Sequence, residues 1–384
     1  MSRPKGWFRV LAVLLVLVLA AFTATGQENT VKIGAILAVT GPASNLGAPE
    51  AKTLQMLVDQ TNAAGGIGGR KVELVLKDSG ASPEKAISFT RQLIEEEQVL
   101  AILGPSTSGE TLKIKDICEE NQTILLSCAA AEAIVNPVAK WVFKTPQNDA
   151  FATQWIYRYL KERGLTKIGV VVSNTGFGNA GKAQLEKYAP EFGIQILIAE
   201  VYDKEATDLT GVLTKVKARD VQAVVNWSIE PAQSLVAKNM RQLGMTAPLL
   251  QSHGFGNIRY VEAAGQAAEG IVFPCGRLLV ADALPAGHPQ KALLLDYKRQ
   301  YESKFKEDVS TFGGHAYDAF TILAEAIKRA GSTDKDKVRQ AIENLRGFAG
   351  TAGIFNFSAA DHNGLDMSSF EMLTVKNGKF VVLK

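Results

Sequence analysis

The sequence predicts an α/β protein made of two doubly wound lobes, each a parallel sheet with helices on both faces. Strand-length apolar segments alternate with helix-length amphipathic segments, and the alternation runs through two successive sets between Thr30 and Leu243. The chain of 384 residues is also longer than one hydrophobic core usually serves. Two sets of alternating elements in a chain of this length indicate two lobes.

The first set contains short predicted strands rich in aliphatic and β-branched residues. These strands are expected at 31–37, 71–78, 99–103 and 124–127. The first helix carries apolar residues three and four positions apart, as in Leu54, Leu57 and Val58, and it ends at Gly65-Gly66. Further helices are expected over 83–97 and 109–121.

The second set restarts this alternation. Strands are expected at 168–173, 195–201 and 221–226, and helices over 150–163, 179–192, 210–219 and around 235–243. After Phe273-Pro274 the chain becomes mostly helical, with an apolar stripe from Ala316 to Ile327. Strand-like pieces close the chain at 353–357, 370–375 and 379–383. A helical block followed by isolated strands indicates that the chain returns to lobes begun earlier.

The N-terminus has the parts of a secretory signal peptide. Arg3, Lys5 and Arg9 form a positive region. An uninterrupted apolar run follows over 10–22, and small residues lead to a cleavage point after Gly26. A membrane anchor is the alternative, but the run is too short to span a bilayer comfortably. We therefore expect residues 1–26 to be a cleavable signal peptide and the protein to be periplasmic.

The charge of the chain belongs to this leader. Its three cations account for the formal net charge of +3, so the remaining chain is close to neutral. A neutral chain has no long-range field to attract nucleic acid or an acidic membrane, and neither partner is expected. No second segment is long and apolar enough to cross a membrane.

The cysteines and histidines form no recognisable catalytic or metal-binding pattern. Cys118, Cys128 and Cys275 are an odd number without CxxC spacing. At most one pair can form, and burial as a small hydrophobic residue is expected for each. The 4 histidines are scattered, and the chain has neither GxSxG nor HExxH. We therefore expect no metal site and no enzymatic activity.

Ligands of doubly wound sheets bind beyond the carboxyl ends of the strands. The loop 104–109 follows a predicted strand and offers the hydroxyls of Ser106, Thr107 and Ser108 at the start of a helix. A helix N-terminus favours an anion by about 0.3–1 kcal/mol when exposed, and by more when partly buried. Ordinary N-capping would account for one hydroxyl, whereas three in a row favour a ligand-binding loop. Residues 127–131 repeat the arrangement with smaller side chains.

A glycine motif raises an alternative function. Residues 176–181 match GxGxxG between a predicted strand and a helix, and Glu200 closes the next strand, roughly where a dinucleotide-binding acid would sit. An exported dinucleotide-dependent oxidoreductase would have this pattern. Against it, Ser173-Asn174-Thr175 separates the strand from the first glycine and loosens the turn that a pyrophosphate needs. We therefore expect no cofactor.

Several short motifs together resemble a known family. In chain order they are Val31-Lys32-Ile33-Gly34, Thr40-Gly41-Pro42-Ala43, the run 62–70, Gly104-Pro105, Phe177-Gly178, Leu243-Gly244, Ala267-Ala268-Glu269-Gly270 and His315-Ala316-Tyr317-Asp318-Ala319. In this order and spacing, residues 30–384 resemble the leucine/branched-chain amino-acid-binding branch of the periplasmic binding proteins.

The resemblance implies the type I periplasmic binding protein fold, a clamshell of two Rossmann-like lobes joined by three crossover segments. The crossings are expected near 144–146, 273–275 and 347–351. Lobe one would be 27–146 with 275–348, and lobe two 147–274 with 349–384. The implied function is the substrate-binding component of an ABC importer, a monomer that hands a small carboxylate to permease and ATPase subunits. Ligand sensing, with a receptor in place of the permease, is the alternative.

The resemblance also assigns the site residue by residue. It implies ligand contacts at Leu46, Ser106, Thr107, Ser108, Ala129, Ala131, Phe177, Trp227 and His253, with Ser108 the closest match to the carboxylate-binding hydroxyl. Relatives commonly have Thr or Ser at the position of Ala131, and an acid that pairs with an α-ammonium at the position of His253. A histidine cannot supply that fixed negative charge. Aromatic or aliphatic acids therefore compete with branched-chain amino acids as the expected ligand.

Overall fold

The computed structural model describes residues 30–384 and contains two α/β lobes, each with its own sheet. The expected signal peptide, 1–26, lies outside the described residues. Within residues 30–384, no helix has the length and apolar character needed to cross a membrane.

Lobe one contains a parallel sheet in the order β2-β1-β3-β4-β5. Its strands are β1 (Thr30–Leu37), β2 (Lys71–Asp78), β3 (Ala101–Leu103), β4 (Ile124–Ser127) and β5 (Val142–Lys144). Its first helices are α1 (Ser44–Ala63), α2 (Pro83–Glu95) and α3 (Ser108–Glu120). The inner strands are buried on both faces, as parallel sheets require.

Lobe two repeats the arrangement with a second sheet. Its parallel strands are β6 (Lys167–Ser173), β7 (Gln195–Tyr202), β8 (Ala223–Trp227), β9 (Leu249–Gln251) and β10 (Val272–Cys275). Its helices are α4 (Asp149–Glu162), α5 (Gly176–Phe192), α6 (Thr210–Lys217), α7 (Ala232–Gln242) and α8 (Ile258–Ala264). β10 occupies the segment where the second crossing was expected, so the chain leaves this lobe only after Cys275.

The chain then returns to lobe one, as the late helical block predicted. The returning elements are α9 (Lys291–Phe305), α10 (Thr311–Ala330), α11 (Lys335–Glu343) and the hairpin of β11 (Phe348–Ala349) and β12 (Ile354–Phe355). The apolar stripe of α10 packs against β1, β3 and β4. Finally β13 (Glu371–Lys376) and β14 (Lys379–Val382) add antiparallel strands beside β10, which gives the order β14-β13-β10-β9-β8-β6-β7.

The third crossing lies later than 347–351, and the assignment of 349–384 to lobe two is corrected accordingly. Phe355, Phe357 and Leu365 are buried in the core of lobe one. The Phe357 ring meets that of Phe143 on β5 edge to face, with centroids 5.9 Å apart. These aromatic residues hold the segment against the first sheet, so the chain crosses after Leu365.

Both sheets bring their ligand-binding edges to the cleft between the lobes. The strand order reverses between β1 and β3 in lobe one and between β6 and β8 in lobe two, and loops at such switch points form binding crevices. Hydrogen bonds cross the cleft: the Thr311 amide donates to Gly256 O (3.1 Å), and Asn257 Nδ2 donates to Asn45 O (3.0 Å). The lobes are therefore in contact, as in the closed form of a clamshell.

Candidate ligand-binding site

A small, partly open cavity of about 20 Å³ lies between the lobes where they are in contact. Residues of both lobes line it: Leu46, Ser106, Ser108, Cys128, Ala129, Ala130, Pro146, Phe177, Ile229, His253, Gly254, Phe312 and His315. A larger groove of about 380 Å³ lies nearby, and some of its charged side chains are paired with one another, as in Lys52–Glu307 (2.7 Å) and Arg259–Glu307 (3.5 Å). The smaller cavity is the candidate site because Ser106 and Ser108 of the hydroxyl loop line it.

The hydroxyl loop divides into two residues that face the cavity and one that does not. Ser108 Oγ accepts a hydrogen bond from the Ala131 amide (3.3 Å), which leaves its own O–H free for a ligand. Thr107 instead caps α3: its Oγ1 accepts from the Glu110 amide (3.4 Å) and donates to the Glu110 carboxylate (2.6 Å). Thr107 does not line this cavity but a neighbouring pocket between the lobes, so the expected contact at Thr107 stays a prediction.

Ser106 lines the cavity, and its hydroxyl is also hydrogen-bonded to groups of the protein interior. Its Oγ accepts from the Ala38 amide (3.0 Å) and is hydrogen-bonded to Glu50, a fully buried carboxyl group on α1. Burial raises the pKa of Glu50 to about 8; the Ser106 hydrogen bond opposes this shift, and the charge of Glu110 adds to it. Glu50 is therefore protonated at neutral pH, and its hydrogen bond to Ser106 holds the hydroxyl loop in place.

Glu50→Gln should stabilise the unliganded protein at pH 8. In the folded protein the Glu50 carboxyl keeps its proton up to about pH 8, whereas in the unfolded chain it loses the proton near pH 4.5. The free energy of unfolding therefore falls as the pH rises between these two values. Glutamine removes this dependence, with a gain on the order of 1–4 kcal/mol at pH 8 and little at pH 4.5. Urea unfolding at both pH values measures it, and Glu96→Gln on the surface is the control. A Glu50→Gln variant less stable than wild type at pH 8 would refute the assignment.

The second predicted ligand-binding loop, 127–131, has small side chains, and the amides of Ala129 and Ala131 bond to Ser127 and Ser108. Ala129 lines the cavity, and its amide donates to Ser127 Oγ (3.1 Å). Ala131 does not line the cavity; it is buried, and its amide holds Ser108 in place. The structure thus gives Ala131 a supporting position beside Ser108, and its expected ligand contact stays a prediction. Together with Ser108 at the start of α3, whose N-terminal amides lack helical partners, this wall suits an anion.

The glycine motif of lobe two is used for close packing. The helix α5 begins at Gly176, earlier than the predicted 179, because Thr175 Oγ1 accepts a hydrogen bond from the Gly178 amide (3.2 Å) and caps it. A Cβ atom on Gly181 would lie 2.2 Å from Trp227 Nε1, and one on Gly176 would lie 2.5 Å from the Cα of Gly109 in lobe one. These contacts account for the glycines without a dinucleotide.

Aromatic rings surround His253, the residue at the position where relatives have an acid. The His253 ring lies edge-on to Phe177, Trp227 and Phe370, with centroids 5.4, 5.6 and 5.7 Å away. Phe177, His253 and Leu46 line the cavity. Trp227 does not line it; its side chain is fully buried and packs against Phe177 and His253, so the structure gives it a supporting position.

The side chain of Lys144 is a buried cation that lies next to the lining of the cavity. Lys144 Nζ donates to the carbonyl oxygens of two cavity-lining residues, Ala130 (2.9 Å) and Pro146 (3.3 Å). Burial lowers the pKa of Lys144, and the nearby carboxyl of Asp149 opposes that shift. The pKa of His253 is lowered to about 3, mainly by burial and also by the charge of Lys144. This imidazole is therefore neutral at pH 7.

Some cavity residues were missed by sequence reasoning. His315 and Phe312 come from the first turns of α10, where the sequence shows only the start of an amphipathic stripe. His315 stands one position before that stripe, inside a motif already associated with the family, which is the one signal that could have marked it. Cys128 also lines the cavity, and all three cysteines are buried and unpaired, as small hydrophobic residues would be. Within residues 30–384, no cluster of His, Cys, Asp or Glu could hold a metal ion.

Comparisons with known proteins agree with this architecture. The leucine-, isoleucine-, valine-, threonine-, and alanine-binding protein of Pseudomonas aeruginosa is 26% identical over 341 residues, covering 88% of this chain and 89% of that protein. An extracellular ligand-binding receptor from Rhodopseudomonas palustris HaA2 is 28% identical, with a TM-score of 0.87, and the match covers 92% of this chain and 99% of that one.

A third similar protein is the branched-chain amino acid transporter substrate binding protein LivJ from Streptococcus pneumoniae, solved in complex with isoleucine. It is 26% identical, with a TM-score of 0.81, over 91% of this chain and 97% of that one. All three relatives are described as binding proteins, and one of them as extracellular. A family model described as periplasmic binding protein matches residues 30–379. The predicted resemblance is thus confirmed: this chain belongs to the periplasmic binding protein family, as a type I member of the branched-chain amino-acid type.

Proposed function

We propose that this protein is the substrate-binding component of an ABC importer and captures a small carboxylate by closing its two lobes. The observation that carries the proposal is the free hydroxyl of Ser108 at the N-terminus of α3, facing a cavity between the lobes. A carboxylate there would accept hydrogen bonds from the hydroxyl and from unpaired helix amides. Its partners would be a membrane permease pair and ATPase subunits, as the transporter relative suggests.

The ligand that we propose lacks an α-ammonium group. Among residues 30–384, no Asp or Glu side chain lines the cavity, and the His253 imidazole is neutral. Glu230, a buried acid next to the cavity-lining residue Ile229, accepts from Ser228 Oγ (2.8 Å) and from the Ile229 amide (3.2 Å). A buried ammonium would therefore face neutral groups, at a cost of several kcal/mol. Aromatic or aliphatic acids avoid this cost.

Calorimetry with leucine, 4-methyl-2-oxopentanoate and benzoate tests this proposal. We expect at least one amine-free acid to bind as tightly as leucine or more tightly. A thermal-shift screen over a wider set of acids would first identify binders, because a ligand that binds only the folded form raises the melting temperature. Submicromolar binding of leucine with no binding of the acids would mean that another group pairs with the ammonium.

Export predicts a definite mature N-terminus. If residues 1–26 direct secretion, intact-mass analysis of protein from the periplasm should give a chain that starts at or within a few residues of Gln27. Recovery only from membranes, with the leader still attached, would contradict a periplasmic location.

A further inference from the structure

Two buried imidazoles face the cavity without hydrogen-bond partners. His253 comes from lobe two and is 7% exposed, and His315 comes from α10 in lobe one and is 6% exposed. Among residues 30–384, neither nitrogen of His253 has a hydrogen-bond partner, and neither does Nδ1 of His315. A closed, ligand-free cavity would therefore leave several polar atoms unsatisfied.

The protein surroundings of the two imidazoles are largely aromatic. Three aromatic rings pack edge-on around His253, and Phe312 lies edge-on to His315 with centroids 6.3 Å apart. Of the cavity hydroxyls, Ser106 bonds to Ala38 and Glu50, and Ser108 accepts from the Ala131 amide and keeps its O–H for the carboxylate. The rings around the two imidazoles thus offer mainly apolar surface, and the Trp227 N–H beside His253 is itself without a hydrogen-bond partner among residues 30–384.

This arrangement is unsuited to a purely hydrocarbon ligand tail. A neutral imidazole has one N–H donor and one nitrogen acceptor, and a buried polar group that stays unpaired costs about 1–3 kcal/mol. An alkyl chain or an unsubstituted phenyl ring would bury both imidazoles without pairing either. A hydroxyl group could both donate and accept, and a carbonyl oxygen could accept from an N–H.

We infer that the ligand carries, besides its carboxylate, an uncharged oxygen substituent, hydroxyl or oxo, that hydrogen-bonds with His253 and His315. The substrate class is then hydroxy- or oxo-acids rather than hydrocarbon acids. The inference rests on the proposed capture of a carboxylate and adds a second recognition point from each lobe. Because His253 and His315 belong to different lobes, the oxygen would also bridge them in the closed form.

Matched acids on one skeleton test the inference with the mature full-length protein. Calorimetry compares 4-methylpentanoate with its 2-hydroxy and 2-oxo derivatives, and benzoate with 3- and 4-hydroxybenzoate. We expect the oxygenated member of at least one series to bind about tenfold more tightly, or better, than its hydrocarbon parent. His253→Leu and His315→Leu should each reduce that ratio towards one. His288→Leu, at a histidine outside the cavity, should leave the ratio unchanged.

The outcomes separate this inference from the proposed function. If hydrocarbon acids bind as tightly as all their oxygenated derivatives in both series, the inference is wrong while carboxylate capture stands. The same holds if the preference survives both His253→Leu and His315→Leu. If none of these acids binds, carboxylate capture itself fails and the inference falls with it. The wild-type ligand series alone decides the matter should either variant fail to fold.

Discussion

Gly176→Ala should weaken ligand binding by roughly ten- to hundredfold while leaving each lobe folded. An added Cβ would lie 2.5 Å from Gly109 Cα and 2.6 Å from Gly109 N, and these residues begin helices in different lobes. The clash exists only when the lobes meet, so it raises the energy of the closed form alone. Overpacking of this kind costs about 1–3 kcal/mol, which sets the expected loss. Calorimetry measures the affinity, and thermal unfolding without ligand measures the fold.

Gly109→Ala provides the matched control from the opposite side of the same contact. Its Cβ would lie 3.6 Å from Gly176 N, an ordinary van der Waals distance. We therefore expect Gly109→Ala to bind within a few-fold of wild type. Equal losses in both variants would point to a general effect on the helix ends, and wild-type affinity in Gly176→Ala would argue against closure at this contact.

Ser108→Ala should weaken binding of the carboxylate ligand by about ten- to hundredfold. Losing a hydrogen bond to a charged group costs about 1.5–3 kcal/mol, and the Ser108 O–H is the hydroxyl that stays free for the ligand. The substitution also removes the acceptor of the buried Ala131 amide, so the unliganded protein should lose about 1–3 kcal/mol of stability. Calorimetry and urea unfolding measure the two effects separately.

Thr107→Ala separates binding from stability in the same loop. Thr107 caps α3 but faces away from the cavity, so its loss should cost about 1 kcal/mol of stability and leave the affinity nearly unchanged. If Thr107→Ala weakens binding as much as Ser108→Ala, the loop acts through its overall rigidity and the specific role of the Ser108 hydroxyl is refuted.

Much of the fold follows from local patterns in the sequence. The predicted strands 71–78 and 124–127 match β2 and β4, because a short apolar run bounded by turns has few other solutions. Packing between segments that are distant in the chain could not be predicted from the sequence. Phe355 and Phe357 read equally well as a strand of either lobe, and only their stacking near Phe143 assigns them to lobe one.

The site was predictable where a residue's neighbours along the chain determine its direction. Ser106 and Ser108 alternate around Thr107 at the start of α3, but which hydroxyl caps the helix depends on backbone geometry that a row of similar residues does not reveal. His315 was missed because a residue at the start of a long amphipathic helix resembles any other helical residue until its helix is placed against the cleft. Long-range placement, more than residue type, limits such predictions.

Small-angle scattering of the mature protein, with and without an acid identified as a binder by calorimetry, tests capture by lobe closure most directly. Ligand can only shift the equilibrium between open and closed forms by its differential affinity, so a tight ligand should populate the closed form seen in this structure. We expect the radius of gyration to decrease on saturation in wild type and to decrease less in Gly176→Ala. A tight ligand that leaves the wild-type radius of gyration unchanged would contradict the account.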